Sequence, residues 1–506
     1  RQTYGDVMLN LSKTFKEKFS LDAHIGASIK DNRFDELSVY GPIAGAPNIF
    51  NVVNLDKSQK KTPKTGWHEQ TQSFFYSLEL GWKSQLFVTT TGRNDWASQL
   101  ANSPQKSFFY PSVGVSWLPS STFNFPEKFN YLKIRASWAS VANPFPRELT
   151  IATHPYDDTI SGWDDKSNYP IGQLYPERTK TWELGFDARF LHGFTLSASW
   201  YRADTYNQTF NPNLSASSGY SDIYIQTGHV RNTGVEASLG YDHQWKNWNW
   251  NSQFTFSWNK NKIIELCKEW YNPITEETIT MNRLQISKLG RAKFILKEGG
   301  SMGDLYSTTD LRRDDKGNIE IDEGGNVVVE DNLPDMKLGS VFPDYNLAWR
   351  NSVSWKNLNL GFLVTARIGG IVNSLTQANM DLFGVSEATA AARDAGGALV
   401  NGRSLVNPET WYTAIASQGG IPQYYTYSAT NVRLQELSLG YTIPRKWLHN
   451  VCSITVSFVG RNLWMMYCKA PFDPEAVAST NNFYQGMDYF MMPSTRNLGF
   501  NINIKF

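Results

Sequence analysis

Apolar and polar residues alternate with period two over segments that often run past ten residues, and this pattern restricts the fold more than any other feature of the chain. At the end of the sequence, Leu498, Phe500, Ile502, Ile504 and Phe506 share one face, while Gly499, Asn501, Asn503 and Lys505 share the other. Within 450–462, Ile454, Val456 and Phe458 alternate with Ser453, Thr455 and Ser457. Within 193–203, Phe194, Leu196, Ala198 and Trp200 oppose Thr195, Ser197 and Ser199. Leu358, Leu360, Phe362, Val364, Ala366 and Ile368 follow the same rule. Successive side chains of a β-strand point to opposite faces. These segments are therefore strands with one apolar side and one side of Ser, Thr, Asn and Gly.

About fifteen such strands are expected, near 4–15, 18–30, 69–81, 83–94, 108–117, 131–141, 179–190, 193–207, 229–244, 248–263, 344–355, 357–369, 430–443, 450–462 and 494–506. A soluble sandwich produces the same alternation. Strand length and loop order separate the two. Typical strands have about five or six residues, whereas crossing a bilayer at a tilt takes about nine to eleven. The connections also alternate. Those at 16–18, 82–83, 118–130, 191–192, 245–247, 356 and 444–449 are short, and those at 31–68, 95–107, 142–178, 208–228, 264–343, 370–429 and 463–493 are long. Tight turns at one rim and long loops at the other mark a transmembrane antiparallel β-barrel. Trp245, Trp248, Trp250, Trp355 and Trp447 stand beside short turns. Amphipathic rings favour the headgroup level, so these read as one aromatic girdle.

Composition agrees. Aromatics make up 14% of the 506 residues, although mean hydropathy is only −0.42. No apolar run reaches the length of a membrane helix, which leaves barrels open because their strands are half polar. With 48 Lys+Arg against 47 Asp+Glu, nothing points to nucleic acid. Cys267, Cys452 and Cys468 are too sparse for a disulfide framework, although a Cys267–Cys468 bridge is conceivable. The histidines His24, His68, His154, His192, His229, His243 and His449 show no zinc-enzyme spacing. No nucleophile elbow or phosphate loop occurs, so catalysis is not expected. The stretch 310–325 has a passing likeness to a calcium loop, but its spacing departs from the EF-hand form. Lys316-Gly317-Asn318 is turn chemistry, and a hairpin is the expected structure. No cofactor is expected.

A run of short motifs adds a family resemblance. It includes Arg93-Asn94-Asp95, Tyr110-Pro111-Ser112, residues 132–137, Thr181-Trp182-Glu183-Leu184-Gly185, Asn232-Thr233-Gly234-Val235-Glu236 and residues 258–262. It continues through residues 431–444, Gly460-Arg461-Asn462-Leu463, Pro471-Phe472-Asp473-Pro474-Glu475, residues 493–496 and the terminal Phe506. In this order they resemble the SusC/RagA family of TonB-linked outer-membrane transporters. The resemblance implies a barrel with an N-terminal plug, a TonB-contacting segment and a SusD-like surface lipoprotein that closes over the mouth. It also implies import of oligosaccharides or oligopeptides, a bacterial outer-membrane location in contact with lipid and lipopolysaccharide, and pairing of transporter–lipoprotein units into dimers.

TonB-type barrels have about 22 strands. Residues 1–506 therefore read as the C-terminal part of such a barrel, with plug and TonB box outside this chain. The expectation is that the remaining strands and plug come from a second polypeptide, for instance after a nick in an exposed loop, because open sheet edges are prohibitive in lipid. By parity Arg367 and Arg461 lie on the polar face near the mouth. They are candidates to meet cargo, with salt bridges to barrel wall or plug as the alternative. Trp163, Tyr169, Tyr424 and Tyr425 are loop aromatics that can stack on sugars or peptide side chains, or simply pack the loops. Phe506 resembles the terminal signal read by outer-membrane assembly machinery. A siderophore or vitamin transporter and a secreted carbohydrate-binding β protein remain the competing readings.

Overall fold

The computed structural model describes the chain except positions 148, 150–155, 158–161, 164–167, 170–173, 211–221, 227, 273–275 and 480–483. Fifteen long strands form one antiparallel sheet in which each strand pairs with its sequence neighbours. They are β1 (Gln2–Phe15), β2 (Phe19–Leu37), β3 (Lys64–Trp82), β4 (Leu86–Ala97), β5 (Phe108–Trp117), β6 (Phe129–Asn143), β7 (Glu177–Phe190) and β8 (Phe194–Tyr206). They continue as β9 (His229–Trp245), β10 (Trp248–Glu265), β11 (Tyr345–Trp355), β12 (Leu358–Ile368), β13 (Asn431–Ile443), β14 (Ser453–Cys468) and β15 (Asn497–Lys505). Every expected strand is present. Within this chain the sheet is open, with β1 and β15 as its edges.

Register converts the alternation into two surfaces. One hydrogen-bonded row runs Leu132, Ala188, Leu196, Leu239, Phe254, Trp349, Val364 and Leu434 across eight strands. The row beside it runs Lys133, Asp187, Ser197, Ser238, Thr255, Ala348, Thr365 and Arg433. Directly paired residues share a face, so the first row belongs to an apolar outer surface and the second to a wet inner one. Leu239, Phe254 and Trp349 are exposed in this chain. No second sheet covers them, which rules out a sandwich core among the described residues. The outer polar pair Ser252 and Asn351 is satisfied locally. Asn351 Nδ2 donates to Ser252 Oγ (3.0 Å), and Trp250 Nε1 donates to Asn351 Oδ1 (3.1 Å).

The tight connections use left-handed pairs. Lys16 and Glu17, Lys83 and Ser84, and Leu191 and His192 all have positive φ near 50°, the conformation that matches a two-residue turn to the strand twist. Beside the short connections at 246–247 and 356, Trp248 lies tilted against Trp355 (5.7 Å) and Trp245 stacks on Trp250 (6.4 Å). At the opposite rim, strands outrun their expected ends: β2 reaches Leu37 and β14 reaches Cys468.

The long connections 266–344, 369–430 and 469–496 fold together into a cap. Residues Arg283–Leu289, Ala292–Lys297, Asp304–Ser307 and Met336–Ser340 make a four-stranded sheet. Helices Leu375–Leu382, Glu387–Asp394 and Pro408–Ala416 pack beside it. One cluster joins Leu311 and Val327 to Ala378, Ile415, Ile421 and Tyr425. Another joins Phe294, Leu305 and Val341 to Leu375 and Met487, so that all three connections contribute to one core. Stretch 310–325 forms turns and bridges. Asp314 accepts from the Asn318 backbone N–H (2.8 Å) and Asp322 from that of Asn326 (2.7 Å), and bridges pair Arg313 with Ile319 and Ile321 with Val327. Cys468 is not in a disulfide, so the conceivable Cys267–Cys468 bridge does not form.

Candidate functional site

The inner surface, with Glu475 of the cap at its margin, lines an open cavity of about 680 Å³, within the range of ligand pockets. Its walls include Arg135, Glu236, Ser238, Thr365, Arg367 and Glu475. Hydroxyl and charged side chains recur in its walls because every second residue of β8–β12 faces this side. Arg135 Nη1 donates to Asp187 Oδ2 (2.6 Å) and its Nε lies 3.6 Å from Glu183 Oε1.

At the cap junction Arg433 is buried and grips Asp473 through both terminal nitrogens (2.8 and 3.1 Å). Its Nε donates to Asn431 Oδ1 (3.1 Å), and Glu475 Oε2 stands 3.3 Å from Nη2. A forked guanidinium pair of this kind is both strong and geometrically specific. Burial pushes the Asp473 carboxyl upward, but hydrogen bonds from Arg433, the Glu475 backbone and Ser494 outweigh it and hold the group below the ordinary carboxylate value. The motif 471–475 is thereby a clamp fastening a cap loop to β13.

Arg367 lies where β12 meets the cap. Its Nη2 donates to the Val341 carbonyl (2.8 Å), and its buried Nε has no partner among the described residues. It lines the cavity. Arg461 sits away from that lining and pairs with Glu436 on the next strand (3.2 Å), the barrel-wall alternative. Tyr425 is buried in the cap core, its hydroxyl donating to Asp381 Oδ2 (3.0 Å). Tyr424 packs edge-on against Trp411 (5.9 Å). Packing, the second of the two expected roles, is therefore where both tyrosines stand, because aromatic area in a loop is hidden whenever the loop has a core of its own. Trp163 and Tyr169 lie in two-residue strands, and their side chains fall outside the described residues. Phe506 follows β15 and is exposed. Sequence reasoning missed Arg433, Asp473, Arg135 and Glu236 as site residues. Inner-face parity would have found Arg135, Glu236 and Arg433.

The family model for the β-barrel of TonB-dependent receptor-like proteins matches residues 1–463. The chain belongs to the TonB-dependent receptor β-barrel family. This receptor chain is 26% identical over 547 residues to TonB-dependent receptor P3 of Formosa agariphila, covering 98% of the chain and 52% of that protein. It is 21% identical over 404 residues to TonB-dependent receptor SusC of Bacteroides thetaiotaomicron, covering 74% and 38%. The RagAB peptide importer in its open-open state shares the fold with a TM-score of 0.77 at 18% identity, covering 100% of the chain and 55% of that one. These matches bear out the SusC/RagA resemblance. The receptor chain spans about half the length of the relatives it matches.

Proposed function

We propose that the chain forms the larger part of the barrel of a TonB-dependent importer in a bacterial outer membrane. The paired apolar and polar rows across eight strands carry this reading, because they suit a wall between hydrocarbon and water and little else. Its open edges are to be paired by strands from the rest of the transporter, which also supplies plug and TonB contact. Cargo is an oligosaccharide or oligopeptide captured beneath the cap with a SusD-like lipoprotein as lid, in keeping with a cavity wide enough for a few residues or sugar units and lined by hydroxyls, carboxylates and guanidinium groups. Arg367, whose side chain lines that cavity, is the cargo contact within it.

Deleting the gene should abolish growth on an oligomeric nutrient while sparing growth on its monomer. Purification from native membranes should bring down a surface lipoprotein. A growth defect confined to iron or vitamin limitation would overturn the reading in favour of a siderophore or vitamin receptor. A protein that dissolves without detergent would overturn the membrane placement itself.

A further inference from the structure

On β7–β10 the outer surface changes character in steps. The row Ile134, Phe186, Ala198, Ala237 and Phe256 is apolar. Two residues nearer the long-loop rim, Leu184, Trp200, Val235 and Trp258 introduce indoles. The next row holds Trp138, Trp182, Arg202, Thr233 and Lys260. The one above holds Ser140, Lys180, Asp204, Arg231 and Lys262.

Five cations thus stand on four adjacent strands, immediately above an indole belt, against the single carboxylate Asp204. That carboxylate orients the patch. Arg202 Nε (2.8 Å), Arg231 Nε (2.7 Å) and His229 Nε2 (2.5 Å) converge on it. Both arginines meet it through Nε, which leaves the forks of their guanidinium groups for an outside anion. Lys260 and Lys262 are exposed and have no carboxylate partner among the described residues. Lys180 lies over the Tyr206 ring (5.3 Å).

The inner surface at the same level is the control. Thr181, Glu183, Tyr201, Ala203, Asn232, Gly234, Asn259 and Asn261 include one carboxylate and no cation. The excess of positive charge is therefore a property of the membrane-facing side. Water alone gives no reason to place it there. Two unpaired lysines and two half-used arginines directly above an indole belt lie where polar lipid headgroups meet the protein.

We propose that Lys180, Arg202, Arg231, Lys260 and Lys262 form a docking patch for a phosphate-bearing glycolipid headgroup of the outer leaflet. Its acyl chains lie along the apolar rows below, the indoles pack at the glycerol or sugar level, and phosphate oxygens take the free guanidinium and ammonium donors. The inference rests on the outer-membrane placement proposed above. Heat-modifiable migration of the unheated transporter in detergent tests that placement separately.

The experiment is native mass spectrometry of the full-length transporter in detergent with added diphosphoryl lipid A or its dephosphorylated form. Each cation near an anionic lipid surface is worth roughly a fivefold change in affinity. Lys180→Ala/Lys260→Ala/Lys262→Ala should therefore weaken diphosphoryl lipid A binding by about a hundredfold, and the corresponding triple Lys→Arg variant should restore it. Arg135→Ala, on the inner surface, should leave it unchanged. Equal binding of phosphorylated and dephosphorylated lipid, equal binding by the triple Ala variant and wild type, or displacement of the lipid by millimolar inorganic phosphate would each overturn the proposal.

Discussion

Replacing Leu239 by arginine tests the two-faced wall directly. Leu239 lies on the outer face of β9 between Leu196 and Phe254. It is six residues from Trp245, which stands beside a tight turn. At ~3.4 Å per residue and a ~40° tilt it sits ~16 Å above that girdle, in an apolar band ~25 Å tall. A charge there costs about 2–4 kcal/mol. The neighbour Ser238 faces inward, where its Oγ accepts from Gln253 Nε2 (3.1 Å). Ser238→Arg forfeits one water-exposed hydrogen bond, about 0.5–1.5 kcal/mol. Reversible denaturant unfolding of the full-length transporter in lipid vesicles, followed by tryptophan fluorescence and by unheated gel mobility, gives both values. Leu239→Arg should be the costlier by at least about 0.5 kcal/mol, the gap between the two ranges. Equal losses, or a larger loss for Ser238→Arg, would refute the assignment of faces.

Two further outcomes concern the cap. Asp473→Asn breaks the fork on buried Arg433, which then keeps Glu475 (3.3 Å) as its anion, and should cost about 1.5–3 kcal/mol of cap docking, read as faster amide exchange across 469–479 with the β-sheet unchanged. Asp335 receives Arg283 Nε (2.6 Å) and Lys297 Nζ (2.9 Å), and chiefly the Arg283 hydrogen bond holds its carboxyl well below the ordinary range. A depressed folded-state value means the stabilisation is complete above about pH 4 and fades as pH falls toward that lowered value. Proteolysis within 266–344 should accordingly accelerate below about pH 4, and Asp335→Asn should remove most of that dependence.

Fifteen strands were legible because lipid on one side and water on the other force a choice at every residue, and long segments accumulate that choice. Their outer ends were not. Beyond Lys30, β2 continues as Asp31-Asn32-Arg33-Phe34-Asp35-Glu36, where both faces meet water and alternation loses its cause. The cap was harder still. Its helices have eight or nine residues, too short to hold by themselves, and they exist through packing against strands distant in sequence. Local signals were present: Ser374 and Ser386 cap two helices, and Asn407 caps a third just before Pro408. The clamp between Arg433 and Asp473 was invisible, since pairing across forty positions leaves no periodic trace. Trp163 and Tyr169 lie outside the described side chains.

Since every strand of the large sheet bonds only to the one before it and the one after, each long loop begins and ends at the same doorway. The stretch 266–344 leaves at the end of β10 and returns at Tyr345, which is already paired with Trp258. Doubling a flexible loop adds only about 0.6 kcal/mol of closure cost. Such an excursion can be lengthened, shortened or traded between relatives while the wall keeps its register. Rim segments can then be exchanged with the outward-facing half of the sequence left as it was.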